Sequence, residues 1–435
     1  MSIPVVTVGE SRDDLVGGLE RLHGPVTVVR RCAELPEMMA ACQSGLARAA
    51  VVADGTEGLT ASLVDRLRAV GVAIIALTDS TEEAVRLRKI GVASALTGVE
   101  STDLSRYIAD AVHHLSGVGN RGPAGSALSD TGADLQPSEV QTDDAPDTPG
   151  TGRIIAVWGP AGAPGRTTVS ANIAGELAAD GQQVLLIDAD SYGASIAAVL
   201  GLMDESAALA QACRLADQGM LDAEALRRLA APVATRSGTF SVLTGITRAD
   251  RWTELRAPAL GLVLERARQI ADVVVVDTGF CLEADEELSF DTMAPRRNAA
   301  TLRSLELADT VFAVGAADPV GVPRLVRSLA ELEEAVPQAS PTVIMNKVRP
   351  SSVGRGPERQ LQDAWERFGP STELRAFLPF DMAAADAALL AGALLLEAAP
   401  ESQLRRAIRA LVCAPDQQKR KSSVSYSTTG RRAKD

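Results

Sequence analysis

RIIAVWGPAGAPGRTTVSANIAGELAADGQQVLLIDADSYGASIAAVLGL, residues 153–202, sets the architecture of the chain. Residues 154–157 are a short apolar run of strand length. A Gly/Pro/Ala loop follows, Thr167-Thr168 opens a helix to about residue 179, Asp180-Gly181 turns the chain, and residues 184–187 form a parallel strand. In this strand–loop–helix–strand unit the backbone N–H groups of the loop converge on an anion at a helix N-terminus. Against the pattern G-x-x-x-x-G-K-[ST], the loop carries Pro160 for the first glycine and Arg166 for the lysine. Arginine keeps the charge, but its planar fork is larger than an ammonium.

Elsewhere in the chain, polar groups recur wherever an apolar run ends. Residues 184–190 end in Asp188 and Asp190, and residues 271–279 end in Asp277-Thr278-Gly279. The run 310–314 ends near Asp318, the run 343–345 ends in Asn346-Lys347, and residues 375–378 lead to Pro379-Phe380-Asp381. Carboxyl ends of parallel strands are where open α/β sheets bind ligands.

The 435 residues are 46% hydrophobic and 23% charged, a balance that supports two or three domains of ~100–200 residues. Residues 1–116 alternate five short β-branched runs with helical patterns and read as a parallel sheet covered by helices on both faces. Residues 117–152 are Gly, Pro, Ser, Asp and Thr with almost no large apolar side chain, the composition of a disordered acidic linker. Residues 153–414 form the second domain, and residues 415–435 are a basic tail. The fold class is therefore α/β, with two doubly wound parallel-sheet domains. At 3% aromatic content and net charge −13, the chain offers neither a base-stacking surface nor attraction to phosphate backbones, so no specific nucleic acid is expected. Five cysteines without a C-x-x-C pair, and three histidines, argue against a disulfide framework or a zinc site. The opening residues lack the pattern of a signal peptide, and the apolar stretch 387–396 is half of what a membrane span needs, so the expected location is the cytoplasm.

The first domain resembles a response-regulator receiver of the flavodoxin-like fold. Asp54 ends the third strand, where receivers place the phosphoacceptor, and Thr78 ends the fourth, at the switch position. Gly98 stands where the family has its phosphate-binding lysine, and Glu10, with Asp13 and Asp14 further along, replaces the acidic pair that holds Mg²⁺. The resemblance therefore implies a pseudo-receiver used for docking or dimerisation. Residues 153–412 resemble the ParA/MinD family of deviant Walker A ATPases, and the two domains together resemble its CpaE/TadZ branch. The family motif K-G-G-x-G-K-[ST]-[ST] falls on Ala161, Gly162, Ala163, Pro164, Gly165, Arg166, Thr167 and Thr168. Its first lysine, which in the family reaches across a dimer to the partner's nucleotide, is alanine here.

The resemblance implies ATP and Mg²⁺ as cofactors, held by Gly162, Ala163, Gly165, Arg166, Thr167 and Thr168. Thr167, Asp188 and Asp277 would serve the metal, and Asp190 would orient a hydrolytic water with Arg166 at the terminal phosphates. Asn346, Pro379 and Asp381 would surround the base. It further implies a homodimer, a weak ATPase, and a role in positioning a Tad-type pilus or secretion assembly or the division machinery, with recruitment to the membrane at a pole or septum. Two alternatives stay open: a catalytically idle scaffold of the same fold, and a DNA-partitioning ParA relative. Residues 403–412 place Leu404, Ile408, Leu411 and Val412 on one helical face with Arg405, Arg406 and Arg409 opposite. This is either the closing helix of the domain or an interfacial, membrane-touching helix.

Overall fold

The computed structural model describes residues 2–9, 15–22, 24–118, 152–202, 206–284 and 295–413. Glu10, Asp13 and Asp14, most of the expected linker and the basic tail lie outside these residues. Strands β1 (Ile3–Val8), β2 (Val26–Cys32), β3 (Ala49–Val52), β4 (Ala73–Leu77) and β5 (Ala93–Ala95) form one sheet in the order β2-β1-β3-β4-β5. Every pairing in it is parallel. Successive side chains of a strand point to opposite faces. Val6, Val8, Ala50 and Val52 accordingly enter one core, and Val5, Ala49 and Val51 the other. This two-sided burial is why these strands read as unbroken apolar runs rather than alternating ones.

The second sheet comprises β6 (Arg153–Trp158), β7 (Val184–Ala189), β8 (Ala231–Thr235), β9 (Gly238–Leu243), β10 (Val273–Thr278), β11 (Thr310–Ala316), β12 (Pro341–Val348) and β13 (Leu374–Pro379). Their order is β13-β12-β11-β6-β10-β7-β9-β8. On β6, Ile155 and Val157 point into one core while Ile154, Ala156 and Trp158 point to the opposite face. Central β6 lies between β10 and β11, so the loop after it opens where the strand order diverges, the crevice where such sheets bind ligands. One element departs from the expected all-parallel sheet: β8 pairs antiparallel with β9 as an edge hairpin. Pro232 lies in that edge strand, where a missing N–H is tolerated.

The helix Gln403–Val412 closes the second domain. Leu404 and Ile408 are buried in the core beneath it. Its basic side is not a free face: Arg405 Nε donates to Glu176 Oε1 at 2.6 Å, and Arg409 Nη1 stands 3.9 Å from Glu176 Oε2. Glu176 belongs to the helix Arg166–Ala179 that begins at the loop, and it is 1% exposed. Among the described residues, no helix is long and apolar enough to cross a membrane.

The two sheets meet through helices. Ser62 N donates to Asp217 Oδ1 at 2.8 Å, and Arg86 Nη1 donates to Gln218 O at 3.0 Å while also reaching Leu59 O. Leu262, on the helix Ala257–Ile270, packs against the core of the first sheet.

Candidate functional site

The loop between β6 and the helix Arg166–Ala179 is shaped by backbone conformations and by remote donors. Gly165 sits at φ +100°, a region costly to residues with a Cβ, and a Cβ there would collide with Asn346 Nδ2. Ala163 adopts φ +51° without being glycine. Arg166 Nη1 donates to Gly159 O at 2.9 Å and to Pro160 O at 3.1 Å. Arg324 Nη1 donates to Ala161 O at 3.0 Å, Lys347 Nζ to Ala163 O at 2.7 Å, and Asn346 Nδ2 to Pro164 O at 2.8 Å. Of the six carbonyls from Gly159 to Pro164, all but that of Gly162 are thus held by side chains, two by Arg166 and three by residues far along the chain. The N–H groups of Gly162, Ala163, Gly165, Arg166, Thr167 and Thr168 take no acceptor among the described residues. Unpaired N–H groups at a helix N-terminus form an anion site.

Three carboxylates stand at the strand ends beside this loop. Thr167 Oγ1 donates to Asp277 Oδ2 at 2.7 Å, while Asp277 Oδ1 is buried without a partner. Burial raises the Asp277 pKa above the usual carboxylate range, and the charge of Asp188 raises it further. Asp188 is also raised, by burial first and then by Asp190, with backbone N–H groups pulling it back. Its oxygens accept from Asp190 N at 3.3 Å and from Ser195 N and Ile196 N at 2.9 Å each, so Asp188 shapes the turn after β7. Asp190 Oδ1 accepts from Tyr192 N at 2.8 Å, and Asp190 Oδ2 lies 3.4 Å from Arg166 Nη2. A buried, crowded carboxylate with an orphaned oxygen next to a threonine hydroxyl fits a hard divalent cation such as Mg²⁺, which prefers oxygen ligands.

The structure holds the candidate residues in different ways. Gly162 to Thr168, Asp188, Asp190 and Asp277 come together at one end of the sheet. Asn346 joins them through the loop, with its Oδ1 accepting from Lys347 N at 2.7 Å. Asp381 instead caps the helix Met382–Ala391, accepting from Ala384 N at 3.1 Å, and its other oxygen accepts from Ser402 Oγ at 2.8 Å. Pro379 ends β13, paired with Val348. Arg324 went unread: an arginine early in a helix carries no local sign that it reaches a loop 163 positions away.

In the first domain, Asp54 lies two residues beyond β3 and accepts from Gly55 N at 2.8 Å. A Cβ on Gly9, at the end of β1, would collide with the Asp54 side chain. Thr78 Oγ1 accepts from Ser80 N at 3.1 Å, and Gly98 follows Thr97, whose N donates to Asp79 Oδ1 at 3.0 Å.

The ParA family model, described as NUBPL iron-transfer P-loop NTPase, matches residues 150–225. That segment holds β6, the loop, the helix Arg166–Ala179 and β7, and β10 to β13 extend the same sheet. Among solved structures, the chain is similar to the cell division ATPase MinD of Pyrococcus furiosus, with 22% identity, 60% of this chain and 97% of that chain covered, and TM-score 0.46. It is similar to a ParA family ATPase from Chlorobium tepidum at 19% identity, with 60% and 98% covered and TM-score 0.49. It is also similar to the septum site-determining protein MinD complexed with Mg-ADP from Pyrococcus horikoshii, at 20% identity, 60% and 94% covered, and TM-score 0.46. No curated protein matches.

Proposed function

We propose that the second domain binds Mg-ATP and hydrolyses it slowly, and that the chain is a CpaE/TadZ-like member of the ParA/MinD group that positions a pilus, secretion or septum-site assembly. The observation that carries the nucleotide reading is the row of N–H groups without acceptors at the loop, set against the Thr167–Asp277 pair with its orphaned oxygen. The loop N–H groups cradle the phosphates, and Arg166 adds charge from within the loop. Thr167 and Asp277 hold Mg²⁺, which when bound neutralises phosphate charge. Asp190 accepts a hydrogen bond from the attacking water and orients it. Asn346 fixes the loop on its outer side. Ala161 brings no cation across a dimer, so turnover is slow and its specific activity does not climb steeply with protein concentration.

Isothermal titration of Mg-ADP and Mg-ATP into the full chain tests the reading. Arg166→Ala should weaken both nucleotides by ~1.5–3 kcal/mol, the range for hydrogen bonds to charged groups. Unchanged affinity in that variant, or no binding by the wild type, would sink it. The docked first domain supports a pseudo-receiver that acts by contact rather than by phosphoryl transfer, because Thr97-Gly98 brings no cation to the strand end near Asp54.

A further inference from the structure

We infer that Arg324 is the residue by which this chain distinguishes a nucleoside triphosphate from a diphosphate, acting from within the same subunit. The inference rests on the nucleotide reading of the loop and adds a specificity-determining residue to it. A third phosphate brings additional negative charge to a site already crowded by Asp188, Asp190 and Asp277, all buried. A cation with open donors must meet that charge. Arg166 has less to give: Nη1 is shared between Gly159 O and Pro160 O, Nη2 faces Asp190, and Nε, though without a partner, is buried.

Among the described residues, Arg324 faces no carboxylate and keeps more of its donors open. Its guanidinium offers five N–H donors in a planar fork suited to phosphate. One of its nitrogens holds Ala161 O at 3.0 Å, and the other donors take no acceptor among the described residues. Nη1 also lies where a Cβ on Gly162 would stand, so the group rests directly on the glycine at the exposed start of the loop. Its base is rigid. Arg324 sits in the first turn of the helix Gly321–Ala335, whose entry is fixed by Asp318 Oδ1 accepting from Gly321 N at 2.7 Å and Val320 N at 3.0 Å. A Cβ on Gly321 would collide with Ala316 O, so this turn is pressed against the end of β11. Lys347 flanks the loop two residues on, at Ala163 O, but a point charge lacks the two-pronged match to a phosphate.

The test measures Mg-ATP, Mg-ADP and the non-hydrolysable Mg-AMPPNP by calorimetry on the full chain, with circular dichroism confirming that each variant is folded. Arg324→Ala should lose about 10- to 100-fold in affinity for the triphosphates and under about 3-fold for ADP. Arg324→Lys should recover part of the loss, and Arg324→Gln should not. Discrimination in the wild type should be the same across a wide range of protein concentration, because the cation belongs to the subunit that binds the nucleotide. Equal losses for ATP and ADP would make Arg324 a clamp of the loop alone and overturn the inference, as would no loss for either. A wild-type chain that binds neither nucleotide overturns the underlying reading instead. Discrimination that rises with protein concentration assigns the cation to a second subunit and also refutes the proposal.

Discussion

Replacing Arg405 with alanine isolates the ion pair that fastens the last described helix to the helix rising from the phosphate loop. Glu176 is 1% exposed, and Arg405 meets it with two nitrogens, Nε at 2.6 Å and Nη2 at 3.4 Å. Removing one member of a buried pair typically costs ~3–5 kcal/mol, because the remaining charge is left unpaired. Two features lower that figure here. The Arg405 side chain is 20% exposed, so water reaches the vacated space, and Arg409 stays 3.9 Å from the same carboxylate. Arg405→Ala should therefore destabilise the second domain by about 2–4 kcal/mol. The double variant Glu176→Gln/Arg405→Met should regain most of it, since the buried charge goes with its partner. A multidomain chain need not unfold in one step, so the midpoint of denaturant unfolding should be read with amide hydrogen exchange over residues 166–179 and 403–412. A loss under about 0.5 kcal/mol, or a double variant no more stable than the single, would mean that burial of Leu404 and Ile408 alone seats the helix and that the pair is incidental.

Asp277→Asn should stabilise the metal-free protein. The folded pKa of Asp277 is raised, so its contribution is full below its unfolded value and falls away as pH rises; the gain from asparagine should grow from acid toward neutral pH, and parallel melting curves for the two proteins across that range would contradict it. Mg²⁺ should raise the melting temperature of the wild type and leave that of the variant unmoved. Arg86→Ala frees the carbonyls of Leu59 and Gln218 and should speed exchange at residues 56–67 and 208–219 on both sides of the contact; unaltered exchange at 208–219 would show that the contact rests on Leu262 and Ser62 instead. Acetyl phosphate should leave the mass of the chain unchanged, and a gain that vanishes in Asp54→Asn would restore a phosphoacceptor role to that residue.

The strands were legible wherever both faces of the sheet are covered, because Val273 to Val276 or Ala49 to Val52 can be nothing but core. The β8–β9 hairpin was not, since an edge strand with one wet face and Pro232 leaves a diluted pattern. The carboxylates of the site were visible as strand-end acids. The backbone N–H groups that the turns bring to Asp188 and Asp190 were not, because they depend on the path of the chain after β7. The pairing of Arg405 with Glu176 was not legible either, because nothing in residues 403–412 announces a buried glutamate more than 220 positions earlier.

The phosphate loop, short and contiguous in sequence, is held in shape by residues made much later. Arg324 reaches Ala161 across 163 positions, Asn346 reaches Pro164 across 182, and Lys347 reaches Ala163 across 184. β6 itself finds its neighbours only in β10 and β11. During synthesis from the N-terminus, the stretch that the family model matches leaves the ribosome long before any of these supports exist. A chain halted after residue 225 would carry the whole motif and the Arg166 contacts but none of the three remote clamps. Nucleotide affinity should therefore arise late in biogenesis, only when β12 has joined the sheet, so that truncated products remain inert toward the ligand of the finished protein.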